Sequence, residues 1–183
     1  MTFAIIAGVV VLIALYVLSF YNGTITMRNQ VEEAFSTMDV YLKQRYDLIP
    51  NFVNTVKGYA AHEQQTLVQL TEARTRAMGA TTTEEKIEGE KVFQSALSRL
   101  MAVVENYPEL KANQNFLQLQ EELAAQEGHI ANSRKYYNAN VREFNIRIEK
   151  FPGSLLAGLF GFTRQPLYEI PDVAQRENVT VQF

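Results

Sequence analysis

Four charged residues stand where apolar side chains are expected. Arg45, Glu63, Glu127 and Arg134 fall on otherwise apolar stripes that recur at alternating steps of four and three residues. A lone charge buried on such a stripe costs several kcal/mol, so each must find a partner or reach water. Two chemistries could use these groups. Glutamates and histidines on facing helices build di-metal carboxylate centres, which need Glu-x-x-His pairs. No such pair occurs, and histidine is present only at His62 and His129. His62-Glu63-Gln64-Gln65-Thr66 opens like the helical zinc motif, but Thr66 stands where the second histidine belongs. Pairing of two acids with two bases across helices is therefore the favoured reading. A hairpin centred near residue 80 would bring Glu63 close to Arg99.

Other routes to chemistry are weaker. The chain has no cysteine, which excludes disulfide scaffolds, thiolate metal sites and thiol nucleophiles. Adjacent glutamates such as Glu32-Glu33, Glu84-Glu85 and Glu121-Glu122 point in different directions around a helix and read as solvated faces. There is no glycine-rich phosphate loop and no nucleophile elbow. The net charge of −3 gives no electrostatic footprint for DNA or RNA. Aspartate occurs only at Asp39, Asp47 and Asp172, so nearly all of the 20 acids are glutamate, a residue suited to helix surfaces. We expect a non-enzymatic protein with no catalytic, cofactor or metal site.

The elements that carry these charges fall into three parts. All of the first 21 residues except Thr2, Gly8 and Ser19 are apolar, and no charged side chain precedes Arg28. At about 1.5 Å per residue, the run Phe3 to Phe20 with its flanks spans roughly 30 Å, the hydrocarbon thickness of a bilayer. A cleaved signal peptide would want a basic start and a small-residue exit, and both are missing. Residues 1–23 therefore read as a retained transmembrane helix, with Phe3, Ile5, Val10, Leu12, Leu15, Leu18 and Phe20 in the span. Arg28, Lys43 and Arg45 follow it and nothing basic precedes it except the amino terminus. By the positive-inside rule the body faces the cytoplasm.

Residues 24–152 form the body, in which glycine and proline are sparse. Val31, Phe35, Met38, Leu42, Arg45, Ile49, Phe52, Val56, Tyr59, Glu63, Thr66, Leu70, Ala73 and Ala77 continue one four-three stripe, the mark of a long helix with a coiled-coil-like seam. Pro50 does not shift its phase but should kink the helix near Tyr46, whose carbonyl loses its partner. Gly79-Ala80-Thr81-Thr82 is the first break expected, and Thr82 with Glu85 makes a capping box for the next helix. That helix carries Phe93, Leu97, Leu100, Val104 and Tyr107 to Pro108. A third stripe runs from Phe116 through Leu123, Glu127, Ile130, Arg134, Tyr137, Val141, Phe144 and Ile148. Short connections make successive helices antiparallel neighbours. The fold class is all-α: an N-terminal transmembrane helix, then an antiparallel up-and-down bundle of three to four long helices.

Residues 153–183 form an apolar Gly/Pro-rich patch and a C-terminal tail. Leu155, Leu156, Leu159, Phe160 and Phe162 make a candidate membrane or partner patch, too short to span a bilayer. It either caps the bundle end or, if the returning helices reach membrane level, dips into the interface. Glu169 to Phe183 reads as a short extended arm used in self-association or left loose.

The body resembles the LemA family of bacterial membrane proteins. The resemblance rests on Tyr21-Asn22, on RYDLIPNFVNTVKGYAAHE from Arg45 to Glu63 with Ala73-Arg74, on VENYPELKANQNFLQLQEEL from Val104 to Leu123, and on EGHIANSRKYYNANVREFN from Glu127 to Asn145 with Phe151-Pro152 behind it. It covers roughly residues 21–152; Gly128 departs from it, since similar proteins more often carry Asn there. It implies one N-terminal transmembrane helix, an antiparallel helical bundle, and no established activity, cofactor or catalytic residue. Arg45, Pro50, Glu63, Pro108, Glu127, Arg134 and Tyr137 carry over as motif residues, which we read as structural kinks and buried pairs. The function expected is a membrane-anchored scaffold in the bacterial inner membrane. It would be single-pass and homo-oligomeric, would bind or remodel the lipid bilayer, and would have no nucleic-acid partner. The alternative is an adaptor that presents its bundle surface to a membrane protein partner, a protease or a signalling protein.

Overall fold

The computed structural model describes residues 1–60 and 62–169, and every regular element among them is an α-helix. Helix α1 runs Thr2–Lys57, α2 Gln64–Gly79, α3 Thr83–Val104, α4 Pro108–Lys111, α5 Gln114–Glu149 and α6 Gly153–Leu159. The helical class expected from the sequence is the class observed. The described residues divide into two compact units: Met1–Tyr41 with His129–Leu167, and Leu42–Gly128 with Tyr168 and Glu169. Helices α1 and α5 contribute to both. The expected arm at the extreme C-terminus lies, from residue 170 on, outside the described residues.

In the first unit, α1 and α5 are antiparallel. The ring pairs Tyr41–His129, stacked at 4.9 Å, and Phe35–Tyr137, edge-on at 5.5 Å, step down α1 as they step up α5. The α1 window from the N-terminus is long and apolar enough to cross a membrane. Phe3, Ile5, Val10, Leu12, Leu15 and Leu18 in that window are exposed, whereas Phe20 is buried. After α5 the chain reverses into α6, and the segment behind α6 is tied back to α5. Asn145 donates to the Gln165 carbonyl and accepts from the Gln165 N–H, both at 2.9 Å, and the Tyr137 hydroxyl donates to the Pro166 carbonyl at 2.9 Å.

In the second unit, five helical segments surround a core that includes Leu42, Ile49, Phe52, Val56, Leu70, Phe93, Leu100, Leu110 and Phe116. The seam does not continue into α2 as one helix. α1 closes at Lys57, because the Tyr59 and Ala60 N–H groups both turn back onto the Val56 carbonyl, at 3.0 and 2.9 Å. Gly58 is the natural place for this, since glycine is a poor helix former. Across the break the stripe slips by one residue. Ala60 and Leu67 are buried where the pattern had put Tyr59 and Thr66, and it resumes at Leu70, Ala73 and Ala77. The expected first break near residue 80 is therefore the second.

Further on, the capping box is as expected, but α3 ends at Val104, short of the expected Tyr107. Thr82 and Glu85 form a complete capping box on α3. Pro108 opens α4 at a position where its missing N–H costs nothing. Asn113 accepts the Phe116 N–H at 3.1 Å at the start of α5, and α5 passes through Gly128 unbroken. α2 and α3 approach closely: a Cβ on Gly89 would lie 3.0 Å from the Ala77 Cα.

Candidate functional site

The charged stripe positions converge only in part. Arg45 is fully buried in the second unit, and its Nη2 donates to Glu90, also fully buried. Its Nη1 donates to Glu127 at 2.6 Å and to Gln94 Oε1 at 3.3 Å. The Tyr46 hydroxyl donates to the other oxygen of Glu90. The guanidinium also lies over the Phe93 ring, 4.8 Å from its centroid, which leaves Arg45 Nε without a hydrogen-bond acceptor. Burial by itself lowers the Arg45 pKa, but the Glu90 and Glu127 carboxylates outweigh it and the net shift is upward. Burial raises Glu90 even though Arg45 pulls it down, and burial followed by the charge of Glu90 raises Tyr46.

Almost every polar valence in this cluster is spent on another member. Glu127 is the most open member, with its side chain 39 % exposed, at a cleft between α3 and α5 lined in part by the half-buried Gln94 and by Leu97, Met101 and Leu123. Each oxygen of the buried Glu90 carboxylate accepts one of these bonds, one from a cation and one from a phenol. The arrangement does the work of a pin: one α1 residue gathers α3 and α5 around it.

Glu90 was not among the residues singled out from the sequence, although the signal was present. Extending the α3 stripe back from Phe93 by three residues lands on Glu90. Glu63 does not reach Arg99; its Oε1 lies 3.5 Å from the Tyr107 hydroxyl, next to Pro108. Arg134 is half-buried on α5 in the first unit and does not join the cluster, whereas Tyr137 is buried there. Among the described residues, His, Asp and Glu side chains do not gather in groups of three that could hold a metal ion.

Pro50 has a consequence that the sequence only half announces. It sits inside α1 and has no N–H for the carbonyl of Tyr46. Arg74 of α2 supplies the missing donor, Nε to O at 2.6 Å, and its Nη2 lies 3.8 Å from Asp47. The orphaned carbonyl becomes the docking point of the next helix.

The second concentration of polar groups lies in the first unit, beside the end of the apolar window. Arg147 of α5 donates through Nε to Thr24 Oγ1 at 2.9 Å and through Nη2 to the carbonyls of Ser19 and Phe20 at 3.3 and 3.2 Å. Its guanidinium also covers the Phe20 ring at 5.3 Å. Two glycines make this possible. A Cβ on Gly23 would run into the Arg147 guanidinium, and one on Gly153 would lie 2.7 Å from the Phe20 ring. Tyr21 then packs edge-on against Phe160 at 5.0 Å and against Phe162 at 6.0 Å.

The apolar patch is thereby split. Phe160 and Phe162 are partly covered by Tyr21, and Leu156 is half-buried. Leu155 and Leu159 of α6 stand 68 and 77 % exposed, one turn apart, and Phe151, just before α6, stands 80 % exposed. Gly23, Arg147 and Gly153, which seat this collar, were not legible as a group, since they come together only through the return of α5.

Described residues whose regular elements are all helices, with an N-terminal apolar helix of membrane-spanning length, have the build of a membrane-anchored helical protein. Comparison with known sequences narrows this: residues 34–183 match the LemA family, and the chain belongs to it. It is 28 % identical over 189 residues to magnetosome protein MamQ 2 of Paramagnetospirillum magneticum, covering 89 % of this chain and 70 % of the relative. The MamQ protein of Magnetospirillum gryphiswaldense is 25 % identical over the same shares. Protein LemA of Metamycoplasma hominis is 26 % identical over 131 residues, 71 % of this chain and 60 % of that protein.

Proposed function

We propose that the protein is a non-enzymatic, membrane-anchored scaffold that binds the bacterial inner membrane and bends it from the cytoplasmic side, assembled as a homo-oligomer. The observation that carries this reading is the exposed row Phe151, Leu155 and Leu159, held beside the end of the apolar window by the packing of Gly153 on Phe20 and of Phe160 on Tyr21. An apolar helix face at that level lies at the headgroup boundary once α1 spans the bilayer. Burying a leucine or phenylalanine side chain contributes about 1.5–3 kcal/mol, so three together favour shallow insertion. Insertion into one leaflet expands that leaflet against the other and favours curvature.

The test is reconstitution of the full-length chain into vesicles, imaged by electron cryomicroscopy, with the mass of the protein measured in detergent. The native chain is expected to give smaller or tubular vesicles and a mass above that of one protomer. The double variant Leu155→Asp, Leu159→Asp should stay in the membrane and leave vesicles unchanged. Equal vesicle shapes for the two proteins would sink the remodelling reading and favour the adaptor reading.

A further inference from the structure

The first unit contains a small cavity that the scaffold reading leaves unexplained. Its volume is about 270 Å³, and it opens between Tyr16, Ser19 and Phe20 of α1 and Arg147 of α5 with Lys150 and Phe151 just behind it. Two of its walls are cations, and no acidic side chain lines it. The Arg147 Nε and Nη2 groups are engaged with Thr24 and with the Ser19 and Phe20 carbonyls, which fixes the plane of the guanidinium. Its Nη1 makes no hydrogen bond among the described residues, and Lys150 makes no ion pair among them. The nearest acid in sequence, Glu149, is paired with Arg164 at 3.2 Å.

We propose that this cavity binds the phosphate of an anionic phospholipid headgroup. The inference rests on the membrane-anchored reading and adds to it a specific lipid contact. Geometry and charge both argue for it. Ser19 and Phe20 close the apolar run of α1, so the cavity opens at the level where headgroups lie. The guanidinium, anchored through Nε and Nη2, leaves its Nη1 group to donate to a phosphate oxygen, and a lysine adds a point charge. Tyr16 and the exposed Phe151 ring flank the cavity on its apolar side, where acyl chains would begin. Gly23 leaves room for the guanidinium to lie on α1, where a Cβ would make it shift.

The occupant carries net negative charge, since two cations without an acid nearby gain nothing from a headgroup whose own ammonium balances its phosphate. A free phosphate ion shares the same chemistry and is separated from the lipid by experiment.

Full-length protein is purified in a mild neutral detergent, and retained lipid is counted by native mass spectrometry after addition of phosphatidylglycerol or phosphatidylcholine. Phosphatidylglycerol should be retained about tenfold better. Lys150→Gln should cut that preference about fivefold, and Arg147→Gln with Lys150→Gln should abolish it. Millimolar inorganic phosphate should not displace the lipid. Equal retention of the two lipids, an unchanged preference in Lys150→Gln, or displacement by inorganic phosphate would each overturn the assignment. Thermal unfolding of Lys150→Gln guards against misfolding, because its side chain is exposed. Alkaline carbonate extraction of the native chain from membranes separates the two readings. Release from the membrane would sink the anchor itself, whereas retention without lipid preference would sink only the site.

Discussion

Replacing Arg45 by methionine isolates the electrostatics of the buried pin, because methionine keeps much of the apolar stem of arginine. Arg45 and Glu90 are both fully buried, and burial already holds the Glu90 carboxyl above the usual glutamate range against the pull of Arg45. Without the guanidinium, only the Tyr46 hydroxyl still favours the carboxylate. Glu90 then takes up a proton on folding, and the cost has a ceiling. Protonating an ordinary glutamate at pH 7 costs about 1.4 kcal/mol per pH unit over roughly 2.7 units, or about 3.7 kcal/mol. That agrees with the roughly 3–5 kcal/mol typical of breaking a buried pair. A folded carboxyl pKa above the unfolded one gives stability that is complete below the unfolded pKa and is lost as pH rises through the folded pKa. The deficit of the variant should therefore shrink to about 1 kcal/mol at pH 5. Urea unfolding in mild detergent, followed by far-ultraviolet circular dichroism at pH 5, 6 and 7, measures it. A deficit that does not change with pH would refute proton uptake by Glu90, and one below about 1 kcal/mol at pH 7 would refute the pin. Arg45→Met with Glu90→Leu should recover most of the loss, since a packed apolar pair replaces a buried ion pair at little net cost.

Two further outcomes follow from the helix junctions of the second unit. Arg74→Met should cost about 1–3 kcal/mol by leaving the Tyr46 carbonyl unsatisfied, and less than about 1 kcal/mol when Pro50→Ala restores the helical N–H; equal costs in both backgrounds would disprove the coupling. Thr82→Ala should cost about 1 kcal/mol and speed hydrogen exchange at the Glu85 amide, which the threonine hydroxyl now accepts at 3.1 Å; unchanged exchange there would show that the box contributes nothing.

The helical class, the apolar N-terminal helix and the capping box were legible because each is a local pattern. Thr82 and Glu85 are three residues apart and cap one helix end with their own atoms. The break at Gly58 was not, since a four-three stripe tolerates a slip of one residue when apolar side chains occupy neighbouring positions. Ala60 and Leu67 sit next to Tyr59 and Thr66 and took their places. The partner of Arg45 was only half legible. Stripe logic demanded an acid and placed Glu127 among the stripe charges without assigning it to Arg45, while Glu90 passed as one of many surface glutamates until α3 placed it at zero exposure. A stripe read from its apolar members ends too early when its next member is charged.

The collar in the first unit was illegible for a different reason. Arg147 and Ser19 are 128 residues apart, and neither belongs to a motif. Gly23 reads as the end of an apolar run, and only the guanidinium lying on it shows why a side chain is excluded. This bears on orientation. Counted along the chain, Arg28 is the one basic side chain close behind the apolar window; counted in space, Arg147 and Lys150 join it. The preference of basic residues for the cytoplasmic face acts on charges near the membrane ends of a span. Charges brought there by folding feel the same anionic surface as charges brought there by sequence. The return of α5 thus strengthens the argument for a cytoplasmic body beyond what the order of residues supplies. On the proposed reading, the same two cations would hold the lipid headgroup and set the direction of the chain across the bilayer.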